Sequence, residues 1–411
     1  MGEDLVYWVW LSQCFSYGSG KIGKILELSG DAKALYQNGE EGRRALSIFS
    51  EQDLRRMSKT SLERAELILE QCRDEGIRVI SYADPEYPKR LREIYGPPAV
   101  LYVKGSLAGL ENQLVLTVVG TREAVGYTRG ITGSLCCQLA RAGVVIVSGF
   151  QRPSMGVFAV GIDEYAHRGA LKAGKRTIAV LGCGLDVNYP SQNRELKEKI
   201  LLSGGALVSE LPPGTKPDGK YFPTRNRLLA GLGMGVLVTH APERSGSLIT
   251  ADLAMEQGKE VFCVPPYDIT EPGCMGVVPL LQDGAHPVYS VHSILEEYYP
   301  LYGDRIDLKA LSEIMIRSRR AEVVREQRQK VADEPAYQAP KPEAVAKRTE
   351  LPELSELQKR LYEVLTEEPR PVDDIISEAG LKPYQALASM TELELLGLAT
   401  AHPGRRYSKA D

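Results

Sequence analysis

The strongest constraint on the fold is an alternation running from Asn112 to about Tyr299. Short apolar runs (Val115–Val119, Val144–Val147, Thr177–Leu181, Ala206–Ser209, Gly235–Thr239 and Glu260–Val264) are separated by stretches of helical periodicity. Runs this apolar on both faces, each followed by a helix, describe strands of a parallel sheet covered on both sides. The pattern predicts an α/β core with a Rossmann-like, doubly wound, mostly parallel sheet. In such a sheet ligands lie beyond the carboxyl ends of the strands, so the loops after each run are where function is to be sought.

The first of these loops is Gly120-Thr121-Arg122, followed by a helical pattern through Ile131, Leu135 and Leu139. Backbone amides, a hydroxyl and a guanidinium at a helix start suit an anion, and Arg122 is expected to face phosphate. The loop lacks the GxGxxG fingerprint, which disfavours NAD or FAD and leaves no cofactor expected. Ser148-Gly149 follows the second run, and Gly182, Gly184 and Asp186 follow the third. Their small residues imply backbone in close approach. The fourth loop, from Glu210 to Arg227, gathers Lys216, Lys220, Phe222, Arg225, Asn226 and Arg227. Cations beside an aromatic ring are how single strands are held without sequence preference. An alternative is that Arg225 and Arg227 cap or salt-bridge the following helix. The fifth loop carries Ser245-Gly246-Ser247, able to hold an anion or, equally, to cap the next helix. Asp163 and His167 stand near one another without a nucleophile, a paired carboxylate or a metal cluster, so a structural or ligand-orienting role is favoured over catalysis.

Around this core the chain divides. Residues 1–75 read as a helical domain of SAM or helix-hairpin-helix type, with a glycine-rich hairpin, Tyr17 to Lys24, that either offers amides and lysines to phosphate or simply turns between helices. Residues 76–111 contain Pro85, Pro88, Pro97 and Pro98 and read as an extended connector packed against the core of 112–300. Residues 301–351, charged and interrupted by proline, read as a linker. Residues 352–411 restart as three helices and a hairpin, a winged helix whose third helix, Pro383 to Leu396, holds Gln385 and Ser389 but no Arg or Lys. That favours a protein contact or weak DNA binding. The run Val277-Val278-Pro279-Leu280-Leu281 is either an exposed surface for dimerisation or the core face of a helix.

Overall charge says little: 50 basic residues face 54 acidic ones. Seven scattered cysteines and five histidines show no metal spacing, and no run approaches the roughly 18 apolar residues of a membrane span. A soluble cytoplasmic protein without metal or membrane association is expected.

Several blocks occur in a defined order: the YP..L..I..PP..LYVKG-like segment at Tyr87 to Gly105, GTR at Gly120 to Arg122, GID..AHRGAL at Gly161 to Leu171, GCGLDVNYPSQN at Gly182 to Asn193, FPTRNRLLAGL at Phe222 to Leu232, and SGSLITADLAMEQGKEVFCVP at Ser245 to Pro265. Together they resemble the DNA-processing protein A (DprA/Smf) family over nearly the whole chain. The resemblance implies a single-stranded DNA-binding recombination mediator that is not an enzyme, dimerises, and loads the RecA recombinase during natural transformation. By position, Arg122 would bind phosphate, Lys216 or Lys220 with Phe222 would supply cation and stacking face, and Arg225, Asn226 and Arg227 would complete the pocket. One departure stands out. The family runs S-G-x-A-R-G-I-D, whereas here residues 151–160 (QRPSMGVFAV) intervene, leaving Arg152 without a clear counterpart. The alternative is a nucleoside-monophosphate hydrolase of the lysine-decarboxylase-like fold. Its PGGxGTxxE motif should lie near the fifth strand, where this chain has Ala241-Pro242-Glu243-Arg244-Ser245-Gly246-Ser247-Leu248.

Overall fold

The structure is a computed structural model and describes residues 4–29, 31–150, 161–307, 309, 310, 312, 354–402 and 406–410. The chain falls into two compact units, Met1–Arg328 and Gln329–Asp411.

The first unit opens with helices α1 (Leu5–Cys14), α2 (Lys21–Ser29), α3 (Ala32–Gln37), α4 (Gly39–Ala45), α5 (Glu51–Lys59) and α6 (Leu62–Asp74). Sequence sets several of their starts. Ser50 and Asp53 form a reciprocal capping box at α5, and Ser61 accepts from the Arg64 amide at α6. Trp8, Trp10, Leu11, Ile25, Leu35 and Met57 make this region's core, which is continuous with residues of the sheet such as Tyr102 and Leu207.

Strands β1 (Arg78–Ser81), β2 (Val100–Gly105), β3 (Val115–Val119), β4 (Val145–Gly149), β5 (Thr177–Val180), β6 (Ala206–Ser209), β7 (Gly235–Val238), β8 (Glu260–Cys263) and β9 (His286–Pro287) form one sheet in the order β1-β2-β6-β5-β4-β3-β7-β8-β9. From β6 to β9 all neighbours are parallel. The connecting helices are α7 (Lys89–Arg92), α8 (Gly126–Arg141), α9 (Ile162–Lys172), α10 (Arg194–Leu202), α11 (Tyr221–Leu232), α12 (Gly246–Glu256), α13 (Val277–Gln282) and α14 (His292–Tyr302). Period-2 geometry sends alternate side chains of β3 to opposite layers. Val115 and Val119 pack with α11 and α12, while Leu116 and Val118 pack with α8 and α9. Each such side chain contributes roughly 1.5–3 kcal/mol through burial. The chain winds outward from β3 through β4, β5 and β6, then returns by α11 to β7 on the other side of β3. That reversal opens a crevice between the carboxyl ends of β3 and β7.

Two readings of the sequence need correction, and one that it left open is decided. The proline-rich stretch of 76–111 does more than pack against the core: β1 pairs antiparallel with β2, and β2 antiparallel with β6, extending the sheet. Its prolines sit in the segments between these strands, where no ladder amide is needed. The run Val277–Leu281 is not an exposed apolar surface, because Val277 and Leu280 are buried in the main core and Leu281 packs against it. The charged stretch predicted to begin at 301 starts later, since α14 runs to Tyr302 and Ile306 is still buried; from 313 to 351 it lies outside the described residues.

The second unit contains α15 (Glu356–Val364), β10 (Arg370–Pro371), α16 (Val372–Ala379), α17 (Pro383–Leu395), β11 (Ala399–His402) and β12 (Arg406–Lys409), with the sheet ordered β10-β12-β11. Leu361, Ile375, Ala386, Met390 and Leu393 form its core. This is a winged helix, and Ser389 of its third helix is buried within it.

Candidate nucleic-acid interface at the strand ends

The Gly120-Thr121-Arg122 loop leaves β3 at the crevice. Its backbone is fixed on both sides: the Thr121 amide donates to the His240 carbonyl at 2.7 Å, and the Ile162 amide at the start of α9 donates to the Thr121 carbonyl at 3.0 Å. Arg122 is exposed at the rim. With Thr121, Glu123, Pro242, Arg244, Ser245 and Gly246 it lines a cleft of about 380 Å³. The N-terminus of α12 opens into this cleft, where Ser245 caps the helix by accepting from the Ser247 amide. Arg244, which the sequence reading left out, is an exposed second cation there; its place immediately before the capping Ser245 is the signal that marks it.

Phe222, partly exposed in the first turn of α11, has two guanidinium groups near its ring. Those of Arg122 and Arg225 each lie 6.0 Å from its ring centroid, and the Tyr189 ring is 6.3 Å away. Gly182 packs directly beneath the ring. Arg225 is itself buried. Its guanidinium donates to the Val180 carbonyl and occupies the space a Cβ on Gly149 would need. Burial lowers its pKa, and the charge of Asp163 acts in the opposite sense. Asp163, also buried, therefore faces Arg225 and compensates it inside the protein.

His167 is locked beneath the same point. Its Nε2 lies 3.2 Å from the Gly149 carbonyl and its Nδ1 2.8 Å from the Thr177 hydroxyl, which itself donates to the Ile146 carbonyl at 2.6 Å. Burial pulls its pKa down to about 4, with the Gly149 hydrogen bond opposing and Arg225 reinforcing the shift. A fully buried neutral imidazole with both nitrogens engaged orients the loop.

The fourth loop is tethered by the third. Asp186 accepts from the Gly214 amide at 2.9 and 2.8 Å, and the Gly184 amide donates to the Thr215 carbonyl at 2.9 Å. These ties hold Lys216 at the surface. Lys220 is exposed, paired with Asp218 at 3.2 Å and 5.0 Å from the Tyr221 ring centroid.

The structure thus divides the predicted contact residues. Thr121, Arg122, Lys216, Lys220, Phe222, Ser245 and Gly246 reach the surface. Gly120, Ser148, Gly149, Arg225, Asn226, Arg227 and Ser247 are buried, engaged inside the protein rather than at the rim. The Ser148 hydroxyl bonds the Val118 carbonyl, and the Asn226 amide bonds the Gly246 carbonyl, tying α11 to the start of α12. Arg227 forms a buried ion pair with Glu210. Burial pushes the Glu210 carboxyl above the usual range, with Arg227 holding against it and the Gly18 amide donating to it. Gly18 (φ 77°) packs against Arg227, and Tyr17 meets Tyr221 edge-on at 5.9 Å. The Tyr17–Lys24 hairpin is therefore a docking element for α11, with Lys21 bonded to Asp53. The intervening residues 151–160, including Arg152, lie outside the described residues.

Among known proteins, a family profile described as DNA recombination-mediator protein A matches residues 78–299, and one described as DprA winged helix domain matches residues 345–405. The chain is similar to Protein Smf of Escherichia coli (strain K12), at 34% identity over 375 residues covering 91% of this chain and 86% of that protein. It is similar to DNA processing protein DprA of Bacillus subtilis (strain 168), at 40% identity over 230 residues covering 56% of this chain and 74% of that protein. Among solved structures it is similar to DNA processing protein A from Streptococcus pneumoniae, with TM-score 0.59, 32% identity, and coverage of 72% of this chain and 98% of that one.

Proposed function

The chain belongs to the family of DNA recombination-mediator protein A, and on that premise we propose that it binds single-stranded DNA at the crevice between β3 and β7. In this reading it acts without catalysis in the cytoplasm, as a homodimer that protects incoming strands and loads RecA during natural transformation. The observation that carries the reading is the position of Arg122, exposed at the crevice rim and 6.0 Å from the partly exposed Phe222 ring. A phosphate at Arg122 leaves its base within reach of an aromatic face, and base stacking of this kind is worth roughly 1–3 kcal/mol per base. Lys216, Lys220 and Arg244 add cations along the same rim. The supporting residues beneath, Asp163, His167 and Arg225, are buried, with His167 against the Gly149 carbonyl and Arg225 donating to the Val180 carbonyl, which suits a rigid platform rather than proton transfer.

Titration against labelled oligonucleotides tests this. Binding is expected to prefer single strands and to weaken linearly in log salt, by about 0.7 per neutralised phosphate. Equal affinity for duplex, or release of free base from AMP by the purified protein, would overturn the reading.

A further inference from the structure

A second basic feature lies on the α8/α9 face of the sheet. Helices α8 and α9 approach closely: a Cβ on Gly169 would come 2.7 Å from the Gly133 carbonyl oxygen. Their outer faces leave a cleft of about 530 Å³ whose lining includes Arg129, Arg141, Arg168, Lys172, Gln138 and Tyr165. None of the described residues lining it is acidic. Helix α8 contains no Asp or Glu at all, and the one exposed-side carboxylate of α9, Glu164, is paired with Arg168 at 2.5 Å. In a chain of net charge −4 this is a local concentration of positive charge.

The two helices that line this cleft start beside the crevice. Helix α8 follows directly from the Arg122 loop, and Gly161 at the start of α9 sits so that a Cβ there would be 3.1 Å from the Arg122 Cα. From Arg129 to Arg141 the helix rises ~18 Å, so the cations form a line leading away from Arg122.

We propose that this cleft is a second, phosphate-tracking segment of the single-strand path, continuous with the Arg122 crevice. The inference rests on the single-strand reading of that crevice and extends it. The occupant is a nucleic-acid backbone, because the cations are spread along a line that begins at a phosphate site. Tyr165 offers a ring to a base along the way.

The test uses the full chain with Arg141→Glu and Lys172→Glu together, both at the end of the cleft far from Arg122 and neither in a buried position. An Arg141→Gln, Lys172→Gln variant removes charge without reversing it, and melting curves check that each variant folds. Affinities are measured by anisotropy for oligonucleotides of about 6 and about 20 nucleotides, lengths that bracket a single site and an extended one. Arg122→Ala identifies the crevice as the short oligonucleotide's site by weakening its binding about 10- to 100-fold. The long oligonucleotide is expected to lose about 10-fold or more in affinity and its salt slope to fall by about 1.4, two phosphates' worth, while the short one is unaffected. Wild-type affinity of both variants for the long oligonucleotide overturns the track and leaves the crevice intact. Failure of the wild-type protein to bind either length overturns both. Loss of polyglutamate binding with unchanged DNA binding also overturns the track and assigns the cleft to an acidic protein.

Discussion

Two glycine-containing basic loops in this chain look alike as sequence and end in opposite roles. Gly120-Thr121-Arg122 emerges at the reversal point of the sheet, and its arginine stays at the surface of an open cleft. Tyr17-Gly18-Ser19-Gly20-Lys21 is pressed onto α11, its Gly18 against Arg227 and its Lys21 bonded to Asp53. Glycine reports that backbone comes close to something, and only the fold decides whether that something is a ligand or the protein itself. The same division separates arginines within one short region. Arg122 faces outward, whereas Arg225 and Arg227 are held inside by Asp163, Val180 and Glu210.

This contrast is sharpest at the buried pair. Replacing Arg227 by Ala strands the Glu210 carboxylate, and breaking a buried pair in this way typically costs about 3–5 kcal/mol. The expected result in chemical denaturation is a large stability loss that also loosens the Tyr17–Lys24 hairpin; a DNA-binding defect with unchanged stability would place Arg227 back among the contact residues. The platform below the crevice gives the next largest effect. His167 has a folded pKa of about 4 against an ordinary 6.5, so its contribution is fully present above pH 6.5 and is lost as pH falls towards 4. That shift corresponds to about 3 kcal/mol. Denaturation midpoints measured across this window should fall steeply in the wild type and less steeply in His167→Gln; parallel curves would contradict the buried neutral imidazole. At the surface, Phe222→Ala is expected to weaken single-strand binding by roughly 1–3 kcal/mol, with little change in melting temperature, if its ring is the stacking face. Unchanged affinity would move the stacking face elsewhere, with Tyr221 and Tyr189 as the neighbouring rings.

The parallel core was legible because β3 through β8 are apolar on both faces, a pattern that only a doubly covered sheet requires. The crevice was legible for the same reason: once the strands are placed, the loops at their carboxyl ends follow. Strands β1 and β2 were obscured by the four prolines of their neighbourhood, although none of those prolines occupies a ladder position. The directions of Arg225, Asn226 and Arg227 were illegible in principle. Successive helical residues point about 100° apart, since a turn takes 3.6 residues, and the loop that supplies Glu210 and the Gly18 hairpin is brought to α11 only by the tertiary fold. The run at Val277 shows the converse limit, since an amphipathic helix of six residues and an exposed apolar patch share one composition.

The account turns on Arg122 as the residue that meets the DNA backbone and on Lys21 as one that does not. Affinity for a single-stranded oligonucleotide, measured for Arg122→Ala and Lys21→Ala beside the wild type, addresses both together. A charge-assisted hydrogen bond to phosphate is worth about 1.5–3 kcal/mol, so Arg122→Ala should bind about 10- to 100-fold more weakly for all sequences alike, while Lys21→Ala should bind as the wild type does. Unchanged binding by Arg122→Ala, or an equal loss in Lys21→Ala, would contradict the assignment of the crevice.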